Sequence, residues 1–330
     1  VKQIVAGKDY IRTTFHPDTD YASFVGCYKP TKSLNSSSGI TYSFVPQAFV
    51  NAYIKAWTSF KPFYLVIEEI NRGNCAQIFG DIFQLLDRDA ETGESSYEIE
   101  PDTDLQACLK ENFDKVLKSM EDDIDIRERV SEDILSGRKM KLPSNLFLLA
   151  TMNTSDQSLF PMDSAFKRRW SWKYVPIETD CPQSQFRIKI GDKVYKWASF
   201  LEKANEKVHR LSDSEDKQMG NFFIKSNIEE DEFKSKVMFY LWSEICKDYE
   251  KAGSFFKYIS SEGNEVEFTF NSLFPANDKT NKILQGFMSY LNVEKDEEAT
   301  AKETKVTAFV NKLVEIGLSR IASLDISVNG

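Results

Sequence analysis

The run Phe63-Tyr64-Leu65-Val66-Ile67-Glu68-Glu69-Ile70-Asn71-Arg72-Gly73-Asn74 restricts this chain more than any other. Phe63 to Ile67 are apolar or aromatic and β-prone, and they stop abruptly at two carboxylates. So short an apolar run bounded by charge predicts a strand buried on both faces, the kind found in parallel α/β sheets. In an open α/β sheet, ligands bind at the carboxyl ends of the strands. Paired carboxylates there suit a divalent cation and an activated water beside a phosphate chain. Read alone, a Glu-Glu pair after an apolar run more often marks a solvated strand end.

A second segment has the same design. Leu146-Phe147-Leu148-Leu149-Ala150-Thr151-Met152-Asn153 is short and apolar and ends in an amide. It is followed by Thr154-Ser155-Asp156-Gln157-Ser158-Leu159, then by Met162-Asp163-Ser164-Ala165-Phe166-Lys167-Arg168-Arg169-Trp170. Strand, polar tip, short helix and arginine pair, in that order, resemble the AAA+ NTPases, most closely the McrB-type GTPase branch. The residues that carry the resemblance are Glu68 to Asn74, Met152 to Asp156, and Arg168-Arg169. A weaker match runs from Phe15-His16-Pro17 through Asp20 to Pro30. The likeness covers the first half of the chain well and the remainder loosely.

The resemblance implies an α/β fold: a P-loop NTPase-like parallel sheet flanked by helices, followed by a mainly helical C-terminal lid domain. The expected domains are 1–178 and 179–330. It implies GTP or ATP as nucleotide, with Mg2+. Glu69 is then the general base that deprotonates water for attack on the terminal phosphate. Glu68 stands where these proteins usually carry Asp for magnesium, one methylene longer. Asn153 resembles the sensor 1 amide, which can donate to a phosphate oxygen and accept from water at once. A turn asparagine bonding its own backbone is the alternative. Asp156 fits the McrB-type signature, although Gln157 replaces the Arg usual beside it. Arg168 and Arg169 resemble the arginine fingers that act on the nucleotide of the next subunit. A salt-bridging pair at a helix end is the alternative. Asn71, Arg72 and Asn74 face the subunit interface in this branch, or simply cap a helix. The partners implied are a hexamer-like ring of identical subunits, an McrC-type nuclease subunit, and DNA reached through other domains.

Composition narrows the rest. With 330 residues, two domains are expected. A net charge of −9 argues against a generally basic nucleic-acid surface. Five scattered cysteines without zinc-like spacing read as reduced cytoplasmic thiols. No apolar run reaches membrane-spanning length.

In chain order, Tyr10 to Phe15 reads as a core strand, with an Asp-capped helix at Tyr21–Val25. Gly26 to Gly39 reads as loop, with a Ser-rich patch at 36–39, and Phe44 to Phe60 as an amphipathic helix. Ala76 to Leu86 reads as one helix capped by Asn74. Residues 88–140 are charged and partly helical, and read as a peripheral insertion. Ser171 to Ile177 alternates like a last strand, with Pro176 near its end. Hairpins are expected at 186–195 and 258–270. Helices are expected at 200–211, 232–249, 282–292 and 303–324.

A Gly-x-x-x-x-Gly-Lys-Ser/Thr phosphate loop should precede the Phe15 strand. Only Ala6-Gly7-Lys8-Asp9 stands there. Either the chain starts beyond that loop or the protein never had it. The Val1 start favours a fragment of a longer NTPase, inactive on its own. The competing reading is a nucleotide-dead AAA-like scaffold that binds partners.

Overall fold

The computed structural model describes residues 1–32, 40–59, 61–119, 124–153, 160–178, 180–212, 215, 217–246, 255–274, 278–302 and 305. The chain divides into two compact units, Val1–Lys173 and Tyr174–Gly330.

The first unit is built on a parallel sheet of order β1-β4-β5, where β1 is Asp9–Thr14, β4 Phe63–Glu68 and β5 Leu146–Ala150. Its register sets Thr14 beside Glu68 and Ile67 beside Ala150. β4 is central, and Phe63 to Ile67 are all buried, as a strand paired on both edges requires. Alternate residues serve different faces. Leu65 and Ile67 join the main core, while Tyr64 and Val66 pack with Val5. Helix α2 (Ala48–Ser59) supplies Phe49, Tyr53 and Trp57 to the main core.

Three local expectations change. Gly26–Lys32 is not loop: it forms strand β2, paired antiparallel with β3 (Ile40–Pro46), so the helix begins only at Ala48. Lys29, Pro30 and Thr31 hide this strand from any apolar pattern. Ala76–Leu86 is not one helix. Asn74 caps α3 (Cys75–Phe79) through the Gln77 N–H at 3.3 Å, but Gly80 at φ +48 turns the chain into a 3-10 segment, Gly80–Leu86. Ser171–Ile177 is not a strand. Trp172, Tyr174 and Val175 are exposed, and no strand among the described residues pairs there. An alternating pattern cannot satisfy a strand's backbone groups without a neighbour.

The 88–140 segment is less peripheral than its charge implies. Helix α4 (Thr103–Ser119) buries Leu105, Leu109, Phe113 and Leu117 at four-residue spacing in the main core. Phe113 lies edge-on to Tyr53, with ring centroids 6.3 Å apart. Arg88 fastens the loop by donating to the carbonyls of Gly93, Pro143 and Leu146, and burial pushes its pKa down to about 10.

The second unit carries the expected hairpins, Arg187–Ile190 with Lys193–Lys196, and Lys257–Ile259 with Glu265–Glu267. Its helices include Trp197–Ser212 and Asp278–Tyr290. The helical stretch at 230–246 contains two π-helical segments. The helix expected at 303–324 lies outside the described residues except for residue 305. Among the described residues, no helix is long and apolar enough to cross a membrane.

Candidate active site

The site forms where β4 and β5 end together. Thr151 stitches the two tips. Its N–H donates to the Ile67 carbonyl at 2.9 Å, and its own carbonyl accepts from the Ile70 N–H at 2.9 Å. Its hydroxyl accepts from the Glu69 N–H at 3.4 Å. On the other side, the Glu68 carbonyl accepts from the Phe15 N–H at 2.9 Å. Glu68 therefore closes the ladder, and Glu69 is the first residue beyond it.

Glu69 has φ 55 and ψ 45, a left-handed conformation uncommon for a residue other than glycine. The reversal carries the chain into the short 3-10 turn Ile70–Arg72. The Glu69 side chain makes no cap bond to that turn and is half-buried. Backbone strain of this kind clusters at functional sites.

The sequence-predicted residues separate into groups. Glu68, Glu69 and Asn153 come together at the carboxyl ends of adjacent parallel strands, with the Asn153 side chain exposed. Asn71 joins them, but as a buried residue: it is 4% exposed and donates from Nδ2 to the Asn153 carbonyl at 2.7 Å. Asn71 thus enters the site through the backbone of Asn153. Asp156 lies outside the described residues.

Arg168 and Arg169 part company. Asp163 caps helix α7 (Ser164–Lys167), its carboxylate accepting from the Phe166 N–H at 2.6 Å. Arg168 follows as the C-cap residue and is exposed, with no ion pair among the described residues. Arg169 turns inward. Its guanidinium meets Asp87 at 2.6 Å, donates to the Ala165 carbonyl at 2.8 Å, and lies 4.0 Å over the Phe83 ring. With its side chain 9% exposed, it is committed to its own chain.

Sequence reasoning missed Arg12, whose guanidinium bonds the Glu68 carboxylate from the neighbouring strand. The contact raises the Arg12 pKa. Only the β1–β4 register brings the two together, so no local pattern could have disclosed it. Cys75, one of the five thiols read as reduced, begins α3 and donates its thiol to the Ile70 carbonyl at 3.2 Å, and burial pushes its pKa up to about 12.

No group of three His, Cys, Asp or Glu that could cage a metal occurs among the described residues. Magnesium in nucleotide sites typically needs one or two carboxylates, the remaining ligands being phosphate oxygens and water. Glu68 fits that requirement: Arg12 engages Oε2, leaving Oε1 as a hard oxygen donor at the strand tip.

A family model described as AAA domain (dynein-related subfamily) matches residues 2–170. The chain belongs to the AAA family. The match spans the first unit's β1-β4-β5 sheet and its flanking helices, and ends at the arginine pair. The AAA chain is 34% identical over 295 residues, 79% of each chain, to component YdiS of the type II restriction enzyme BsuMI of Bacillus subtilis (strain 168). It is 26% identical over 199 residues to the EcoKMcrB subunit of a type IV methyl-directed restriction enzyme of Escherichia coli (strain K12). That match takes in 60% of this chain and 34% of the relative. The chain is thus a McrB-like AAA+ protein with restriction-system relatives.

Proposed function

We propose that this protein is the NTP-hydrolysing module of an McrB-like restriction or defence motor, turning over GTP or ATP where subunits of a ring meet. One observation carries the reading: a strained Glu69 and an exposed Asn153 share the end of two adjacent parallel strands, tied through Thr151. Glu69 accepts the proton of the attacking water, and Asn153 holds that water and a phosphate oxygen in line. Glu68 would hold Mg2+, which when bound neutralises charge on the phosphates. Arg168, exposed at the end of α7, serves the nucleotide of the neighbouring copy. Arg169 anchors the helix that presents it. The relatives are a component and a subunit of restriction enzymes, which supports a nuclease partner; the proposal takes that partner to be of the McrC type, with DNA reached through other domains.

The experiment is Glu69→Gln in the full-length protein, assayed with GTP and with ATP. Loss of general-base catalysis lowers kcat by roughly 10²–10⁴-fold, while nucleotide binding stays intact. Equal turnover in the two proteins removes the assignment. The scaffold reading has one observation in its favour, the Arg12 guanidinium on the Glu68 carboxylate. It requires that full-length wild type hydrolyse neither nucleotide.

A further inference from the structure

Asn71 holds the chain at two places. Its side-chain Nδ2 donates to the Asn153 carbonyl at 2.7 Å, and its backbone carbonyl accepts from the Phe160 N–H at 2.9 Å. The β4–β5 ladder gives out at Thr151, and two residues further on this amide ties the backbone of Asn153 to the β4 side of the site. Asn71 sits two residues after Glu69, in the 3-10 turn that the left-handed Glu69 begins. One short, buried turn therefore carries the base and grips the strand that bears the amide.

The other end of the carboxamide is telling. Oδ1 is buried, and among the described residues no group donates to it. An apolar side chain of similar size would fill the space and avoid that unpaired oxygen. What an apolar side chain cannot supply is the donor to Asn153. We propose that Asn71 is a positioning residue of the hydrolytic site, which sets the Asn153 side chain relative to Glu69 by fixing the Asn153 carbonyl. This rests on the hydrolytic reading above.

The test is a double-mutant cycle in the full-length protein with GTP and ATP, using Asn71→Ala and Asn153→Ala. Asn71→Ala lowers kcat roughly 10- to 100-fold, as a misplaced catalytic group does, with KM unchanged within about twofold. In the Asn153→Ala background the same change costs less than about twofold, because the group it positions is already gone. Losses that multiply in the double mutant overturn the proposal. Asn71→Asp keeps the size and removes the donor at neutral pH, so it must reproduce the loss, and wild-type turnover in it is equally fatal. Should Asn71→Ala fail to fold, Asn71→Asp takes its place in the cycle. A wild-type protein that hydrolyses neither nucleotide sinks the hydrolytic reading alone. A structure of the Asn71 variant then decides: Asn153 displaced relative to Glu69 supports the positioning role, and Asn153 unmoved overturns it.

Discussion

The two arginines after α7 offer the sharpest separation of roles, because they are adjacent in sequence and opposite in environment. Arg169→Ala removes three interactions at once. The bond to Asp87 is charge-assisted and partly shielded, with side-chain exposures of 9% and 32%. Such a bond contributes about 1.5 kcal/mol once partial exposure is discounted. The bond to the Ala165 carbonyl adds about 0.5–1 kcal/mol, and the guanidinium over Phe83 about 0.5 kcal/mol. The expected loss is about 2–3 kcal/mol. For a unit the size of Val1–Lys173 this lowers Tm by roughly 5–10 °C. Arg168→Ala removes an exposed side chain and should cost under about 0.5 kcal/mol. Catalysis should move the opposite way, with Arg168→Ala abolishing most turnover at an unchanged Tm. Thermal unfolding followed by tryptophan fluorescence, beside a phosphate-release assay on the full-length protein, reads both. If Arg168→Ala destabilises as much as Arg169→Ala, or leaves turnover intact, the division of labour is wrong.

Other expectations concern thiols and backbone. The Cys181 pKa is lowered by the Ser184 hydroxyl and the Asn221 amide, whereas burial pushes Cys75 up to about 12 and Cys108 up to about 11. A lowered pKa means more thiolate at neutral pH, so iodoacetamide should modify Cys181 well before the other two in the native protein. Peptide mass spectrometry over a pH series checks this, and Ser184→Ala should slow the reaction at Cys181; equal labelling of Cys75 would contradict it. Gly26 has φ +151, and a Cβ there would lie 2.5 Å from the Phe44 ring and 2.8 Å from the Val45 carbonyl oxygen. Gly26→Ala should therefore destabilise the β2–β3 hairpin by at least about 2 kcal/mol, visible as a lower urea midpoint. An unchanged midpoint would mean that the hairpin adjusts freely.

Much of the site was legible because it depends on neighbours in sequence. Phe63–Ile67 and Leu146–Ala150 announce strands by uninterrupted apolar character, and Glu68, Glu69 and Asn153 fall where those runs stop. Asp20 and Asn74 cap helices through the N–H three residues on, a contact within reach of a local pattern. The β2 strand was not legible, because Lys29, Pro30 and Thr31 carry no apolar signal and the strand exists only through its pairing with β3. The alternation of Ser171–Ile177 misled for the converse reason, since it is a strand pattern with no strand beside it.

The chain's own order of residues thus determined which groups could do chemistry and that two parallel strands would present them. Packing decided which were available for it. Burial against Phe83 and Asp87 withdrew Arg169 while leaving Arg168 exposed, and strand register set Arg12 on Glu68. It also turned the Asn71 amide inward onto Asn153. The polar contacts among these join residues some 56 to 82 positions apart. A hydrogen bond or ion pair acts over a few ångströms of space, whatever the separation along the chain, so only the closed fold could assign them.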